Sequence, residues 1–171
     1  MIPAARPRIA QTVLLLLAAA GFALSAAAAA AQGLPEGWSR KWVYDLEQSA
    51  ASPTLFPDAD RPEGVVVCAS TEVVLLDETG KAVWTYAPEG RPASPAAVAD
   101  IHGDGSPEVL LFFGAGGIVC LDAHGTEKWR RVFGTPGSGF SVPVAADVHP
   151  SEGLEVLFGY DDGWLRCLSA K

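Results

Sequence analysis

Apolar positions in this chain come in short runs separated by turn-forming residues. In the stretch from 94 to 133 there are four such runs: Ser94–Ala99, Glu108–Phe113, Gly117–Leu121 and Glu127–Phe133. Each is of strand length, and the connections between them hold Gly, Pro, Asp and Ser, the residues that supply turn conformations. Beyond the first thirty or so residues no window keeps apolar residues at a 3.6-residue period, and Gly and Pro interrupt every segment long enough to hold a helix. Runs such as Val109-Leu110-Leu111-Phe112-Phe113 do not alternate with polar residues. A strand of that kind needs cover on both faces, so the pattern predicts an all-β protein of small sheets, each packed between neighbours.

The pattern repeats. Glu108 aligns with Glu155, Cys120 with Cys167, Ser94 with Ser141 and Asp100 with Asp147, all 47 residues apart. An earlier copy aligns at a spacing of 45, taking Glu63 to Glu108, Asp77 to Asp122, Gly80 to Gly125 and Trp84 to Trp129. A third relation at 42 takes Trp42 to Trp84, Pro53 to Pro95 and Asp58 to Asp100. Strand-rich periods of about 40 to 50 residues are the mark of β-propeller blades. A lone four-stranded sheet with two apolar faces would not stay soluble, which is why such units stack.

Two turns recur with the repeat, Asp77-Glu78-Thr79-Gly80 and Asp122-Ala123-His124-Gly125. The glycine supplies the positive φ of a tight hairpin, and the leading Asp can bond its own backbone. A tryptophan follows four residues later, Trp84 or Trp129. A flat side chain at the same place in successive units is suited to wedge between sheets, with its indole N–H finding a partner there.

The N-terminus reads differently. Arg6 and Arg8 precede an apolar run from Val13 to Leu24 and an alanine tract ending at Ala31, the order of a secretory signal peptide. Residues 1–31 are therefore expected to be a leader cleaved near Gln32, with a retained N-terminal anchor as the alternative. The apolar core is short of the roughly 20 residues a membrane span needs, so no stable span is expected after cleavage, and the protein is expected in the periplasm or outside the cell. The whole chain has a net charge of −8; without Arg6 and Arg8 the remainder carries 10 Lys and Arg against 20 Asp and Glu. A chain so acidic repels phosphate backbones, which excludes nucleic acid as a partner class and leaves cations, neutral sugars and basic protein patches. Cys68, Cys120 and Cys167 lie within apolar runs without paired spacing and are expected to be buried small hydrophobes.

At LLDETGKAVW (Leu75 to Trp84) and CLDAHGTEKW (Cys120 to Trp129) the chain resembles the repeat of quinoprotein-like (PQQ-like) propellers, which ends its third strand with Leu-Asp and turns through Gly towards a docking Trp. The turn is a residue shorter than in the quinone-dependent dehydrogenases, which makes it more similar to the non-catalytic members, including the propeller lipoprotein of the outer-membrane assembly machinery. The segment VADIHGDGSPEVLL (Val98 to Leu111) is similar to the FG-GAP and VCBS repeats of integrin-like propellers. Together the two resemblances cover roughly residues 38–170 and imply a β-propeller domain over 32–171. Its blades fall at about 52–87 and 94–134, with 38–50 and 141–170 as the two parts of a third.

The FG-GAP resemblance implies calcium ligands at Asp100, His102, Asp104 and Glu108, with a backbone carbonyl from Ser106. Gly105 would allow the sharp turn that brings oxygens together, as a hard cation requires. His102 departs from the pattern, since a nitrogen donor suits calcium poorly. The alternative is that Asp100 and Glu108 bond loop amides and hold the turn without an ion. The equivalent loops, Asp147 to Glu155 and Asp58 to Glu63, are degraded, and His102 with His149 lacks a third ligand for zinc. Three repeats are too few to surround pyrroloquinoline quinone, so that cofactor is not expected. No nucleophile elbow, phosphate loop or His-Glu zinc motif is present. Trp38, Trp164, Tyr160 and Phe140 lie outside the docking position and are candidates for a sugar or peptide site, against the alternative of packing between blades.

Single-chain propellers close with four to eight blades, and about three are present here. Either the sequence is part of a longer propeller or three-blade protomers pair into a ring as a homodimer. The expected function is an exported, non-enzymatic module that binds a protein or a carbohydrate. An N-terminal fragment of a quinoprotein-like oxidoreductase and a calcium-stabilised adhesion-type propeller are the alternatives.

Overall fold

The computed structural model describes residues 35–37, 39–50, 52–57, 64–114, 116–133, 141–150, 153–160 and 162–169. The leader at 1–31, Trp38, the loop from Asp58 to Glu63, Phe140 and the Ser151-Glu152 pair lie outside them. The residues from Trp42 onward form one compact unit.

Among the described residues, eleven strands form three antiparallel sheets and there is no helix. The first sheet runs in the order β1 (Thr54–Phe56), β2 (Gly64–Cys68), β3 (Val73–Leu76), β4 (Ala82–Tyr86). The second repeats that order with β5 (Ala97–Ala99), β6 (Glu108–Phe113), β7 (Gly117–Leu121) and β8 (Glu127–Val132). The third has three strands, β9 (Val144–Ala146), β10 (Glu155–Gly159) and β11 (Leu165–Ser169). Each sheet is a meander in which sequence neighbours pair, so loop-closure costs stay small. β5 is shorter than its apolar run because Pro95 has no N–H to give a ladder. The Ser94 hydroxyl accepts from Phe112 N at 3.4 Å, and Ser141, its counterpart in the next repeat, accepts from Gly159 N at 2.8 Å.

The sheets lie face against face. Phe56, Val66, Cys68, Val73 and Leu75 of the first pack on Val109, Leu111, Phe113, Val119 and Leu121 of the second. The opposite side of the second sheet, through Leu110, Phe112, Ile118 and Cys120, packs on Val156 and Phe158 of the third. The non-alternating runs are thus explained, since every residue of β6 and β7 is buried, half towards each neighbour. First strands stand side by side, β1 next to β5 and β5 next to β9. The Thr54 hydroxyl donates to Ala96 O at 2.8 Å across the first of these junctions.

The recurring turns form as their residues dictate. Asp77 Oδ1 accepts from the amides of Thr79 and Lys81, and Asp122 Oδ1 from those of His124 and Thr126. Hydrogen bonds from the Thr79 hydroxyl and the two amides hold the Asp77 carboxyl below its ordinary range. Gly80 and Gly125 sit at φ of 80° and 77°, a conformation that L side chains adopt at a cost. Each is also covered by a tryptophan from the preceding repeat. A Cβ at Gly125 would lie 2.6 Å from Trp84 Cδ2, and one at Gly80 2.5 Å from Trp42 Cδ2. Trp84 completes its contact by donating Nε1–H to Ala123 O at 3.0 Å.

The cysteines divide. Cys68 and Cys120 are buried as expected, but Cys167 is exposed because β11 presents its outward face to solvent. Burial raises the thiol pKa of Cys68 to about 11 and of Cys120 to about 12, leaving little thiolate at neutral pH. A thiol reagent applied to dilute native protein should therefore modify Cys167 alone. All three should react in denaturant, and rapid native labelling of Cys68 or Cys120 would show that the sheets are not packed as described.

Candidate functional site

The β5–β6 loop carries the five residues proposed as metal ligands, and the structure brings them into one turn. Ala99 pairs with Glu108, Val109 with Leu121, and Leu121 with Glu127. This loop and the Asp122 turn therefore emerge at the same end of the second sheet. Asp100 spends both carboxylate oxygens on backbone, Oδ1 accepting from Asp104 N at 3.0 Å and Oδ2 from Gly105 N at 2.8 Å. Asp104 Oδ1 accepts from Ser106 N at 2.9 Å.

Glu108 organises the loop from below. It is 1% exposed, and its Oε2 accepts from Ile101 N at 2.9 Å. Its Oε1 lies 2.9 Å from His102 Nδ1 and accepts from Lys128 Nζ at 2.7 Å. The Lys128 side chain is 32% exposed and reaches this carboxylate from β8. Its pKa is raised above the ordinary 10.5, first by the hydrogen bond to Glu108. Glu155, the counterpart of Glu108, is buried too, and its Oε2 accepts from the amides of Val148 and His149 at 3.1 and 3.2 Å. A buried glutamate at the start of the second strand is thus a loop-holding device used twice.

This donor set does not fit a calcium ion. Calcium needs six or more oxygens converging at 2.3–2.6 Å. Here Asp100 is turned towards amides, Glu108 Oε1 is taken by an ammonium that would repel a cation, and His102 offers nitrogen. No three His, Cys, Asp or Glu side chains converge as ligands among the described residues. The arrangement is that of a turn closed by its own amides and by Lys128.

Lys128 was not legible as a site residue. It lies 20 residues from Glu108, and the 45 spacing sets Val83, not a lysine, at its position in the preceding repeat. A second polar bridge was equally hidden. The Tyr86 hydroxyl of the first sheet donates to Glu127 Oε2 of the second at 2.7 Å, and Arg130 grips the same carboxylate with two bonds of 2.6 Å. Arg130 pulls the Glu127 carboxyl below its usual range, while burial and then Glu127 push the Tyr86 hydroxyl up to about 12.

Of the aromatic candidates, Tyr160 is buried, with Arg166 stacked 5.0 Å above its ring and Phe133 at 6.0 Å, so it packs between sheets. Trp164 is exposed in the β10–β11 turn. A cavity of about 380 Å³ opens between the second and third sheets, lined by Trp129, Arg131, Phe133, Val156 and Leu168 among others.

No family model matches the chain, and no curated protein matches it. Among solved structures, BamB from Moraxella catarrhalis superposes with a TM-score of 0.59 at 24% identity, over 78% of this chain and 38% of that one. The fold is a β-propeller fold. Sequential four-stranded meanders packed face to face, with first strands side by side, are blades in that arrangement. Two structures of BBS1N in complex with ARL6DN, soaked with mercury or with lead, also align over 78% of this chain. Their identities are 12% and 14% and their TM-scores 0.42 and 0.37. The chain spans 38% of the BamB chain and about 55% of the BBS1N chains. Within the propeller, the Asp100 loop joins the first and second strands of a blade and the Asp122 turn joins the third and fourth.

Proposed function

We propose that the chain is an exported, non-catalytic propeller module that binds a protein or glycan ligand through the loops at one end of its blades. The observation that supports this most is how the polar side chains of those loops are used. Asp77, Asp100, Asp122, Glu108 and Glu155 hold turns and do not converge on an open cavity. What remains outward is a scaffolded surface carrying Glu78, Asp104 and Asp147 among its exposed residues. With twenty acids against twelve bases in the chain, such a surface attracts basic patches on a protein partner and gains association rate from its field. Neutral sugars are the other ligand class compatible with it. Export rests on the charged and apolar order of residues 1–31.

Calorimetric titration with polylysine and with neutral oligosaccharides tests the proposal, together with the variants Glu78→Lys and Asp104→Lys. Binding of polylysine that weakens with salt and is reduced in both variants is expected of a protein-binding face. Binding of an oligosaccharide with no effect of salt would assign the glycan class, and neither response would refute the proposal. Absorbance of added pyrroloquinoline quinone on the protein would favour the oxidoreductase reading in its place.

A further inference from the structure

The three histidines of the chain, His102, His124 and His149, are all exposed and all stand at one end of the blades. His102 lies in the β5–β6 loop, His124 in the β7–β8 turn and His149 in the β9–β10 loop. The same end carries Glu78, Asp104 and Asp147. At the other end, the β2–β3, β6–β7 and β10–β11 turns hold no histidine. His102 and His149 are 47 residues apart and take the same place in successive blades.

Carboxylates fix the backbone on which two of these side chains stand. The His124 amide donates to Asp122 Oδ1 at 2.8 Å, in a turn that Trp84 covers from the first blade. The His149 amide donates to Glu155 Oε2 at 3.2 Å, beside that of Val148. His102 differs, because its Nδ1 lies 2.9 Å from Glu108 Oε1 and 3.4 Å from Lys128 Nζ, inside the cluster that closes its loop. Across the described loops of this end, Asp77, Glu78, Asp100, Asp104, Asp122 and Asp147 stand against Lys81 and Lys128, and Lys128 is bonded to Glu108.

We propose that this face is acid-sensitive: it holds a basic protein partner near neutral pH, and protonation of His124 and His149 loosens that hold as the pH falls towards 5.5. The acid sensitivity rests on the reading of this end as a face for basic partners, given above. Histidine is the side chain whose charge ordinarily changes between about pH 5 and 8, while carboxylates and ammonium groups ordinarily keep theirs through most of that interval. The charge of this end therefore changes through its histidines, and the opposite end, which has none, keeps its own. A positive charge added at about 7 Å from a bound cation, through water, weakens binding about threefold, and two such charges weaken it about tenfold. Because the loops are held by their own carboxylates, the change is one of charge on a fixed surface.

Titration of polylysine at low salt, at pH 7.5 and again at pH 5.5, tests this. Wild type should bind about tenfold more weakly at the lower pH. A His124→Gln/His149→Gln variant, which leaves the Glu108 cluster intact, should match wild type at pH 7.5 and lose most of the difference between the two pH values. The single variants His124→Gln and His149→Gln, which serve if the double variant does not fold, should each recover about threefold at pH 5.5. Equal wild-type affinity at the two pH values overturns the acid sensitivity and leaves the binding reading standing. So does a loss at pH 5.5 that persists undiminished in the histidine variants. Absence of polylysine binding at either pH overturns both.

Discussion

Replacing Trp84 with alanine should lower the free energy of unfolding by about 3 kcal/mol, near the lower end of the range for deleting a large packed aromatic. The loss combines contact with Gly125, cover of the core shared by the first two blades and the bond to Ala123 O. Gly125→Ala should cost about 2 kcal/mol, since the left-handed backbone strains a side chain and the new methyl meets the indole. In the Trp84→Ala background the steric part of that cost disappears. The two effects should then fall short of additivity by about 1 kcal/mol, as contacting residues do. Equilibrium denaturation of the four proteins measures this, and full additivity would mean that the tryptophan does not rest on the turn. Trp129→Ala should cost less, because Trp129 borders an open cavity where Trp84 has a turn beneath it.

Glu108→Ala carries the second large effect. It strands the Ile101 amide and the Lys128 ammonium beneath a loop, and removing one partner of a buried ion pair is among the costlier single changes. Because Lys128 is one-third exposed, the low end applies, about 3 kcal/mol. Lys128→Met should cost about 1 kcal/mol, since Glu108 keeps its amide. The sign of the pH dependence follows from the raised Lys128 pKa. The pair's contribution is complete below the lysine's ordinary value of 10.5 and is lost as pH rises through the raised value. Wild type should therefore lose stability in strong alkali more steeply than Lys128→Met. Neither EDTA nor added calcium should move the wild-type melting temperature, because Lys128 already holds Glu108 Oε1 and loop amides hold Asp100. A calcium-dependent rise would show that the loop opens to admit an ion.

The fold was legible because its determinants are local. Turn glycines with positive φ, Asp side chains bonding amides two and four residues on, and strands covered on both faces all leave marks within a few residues of themselves. The spacings of 42, 45 and 47 then placed Trp42, Trp84 and Trp129 in one role, which the contacts on Gly80 and Gly125 bear out for the first two. Interactions between elements that do not repeat were hidden. Lys128 reaches Glu108 from β8, and Tyr86 meets Glu127 across two blades, neither marked by period or motif. The loop at Asp100 illustrates the difference. Its acids and glycines resemble a cation loop, but Asp100 and Asp104 bond the loop's own amides and Glu108 Oε1 is taken by a lysine from another strand. Cys167 was misjudged for a related reason, since the position of Cys120 is dry only while a further blade covers it.

Hydrogen exchange across the three sheets tests the central claim, that each blade is packed face to face on the next. If it holds, the amides of β6 and β7, covered on both sides, exchange only when the whole unit unfolds, and those of β9, with an exposed outer face, exchange faster. Exchange of β6 and β7 at the rate of β9 would contradict it, because a sheet without neighbours on both faces could not protect those amides selectively.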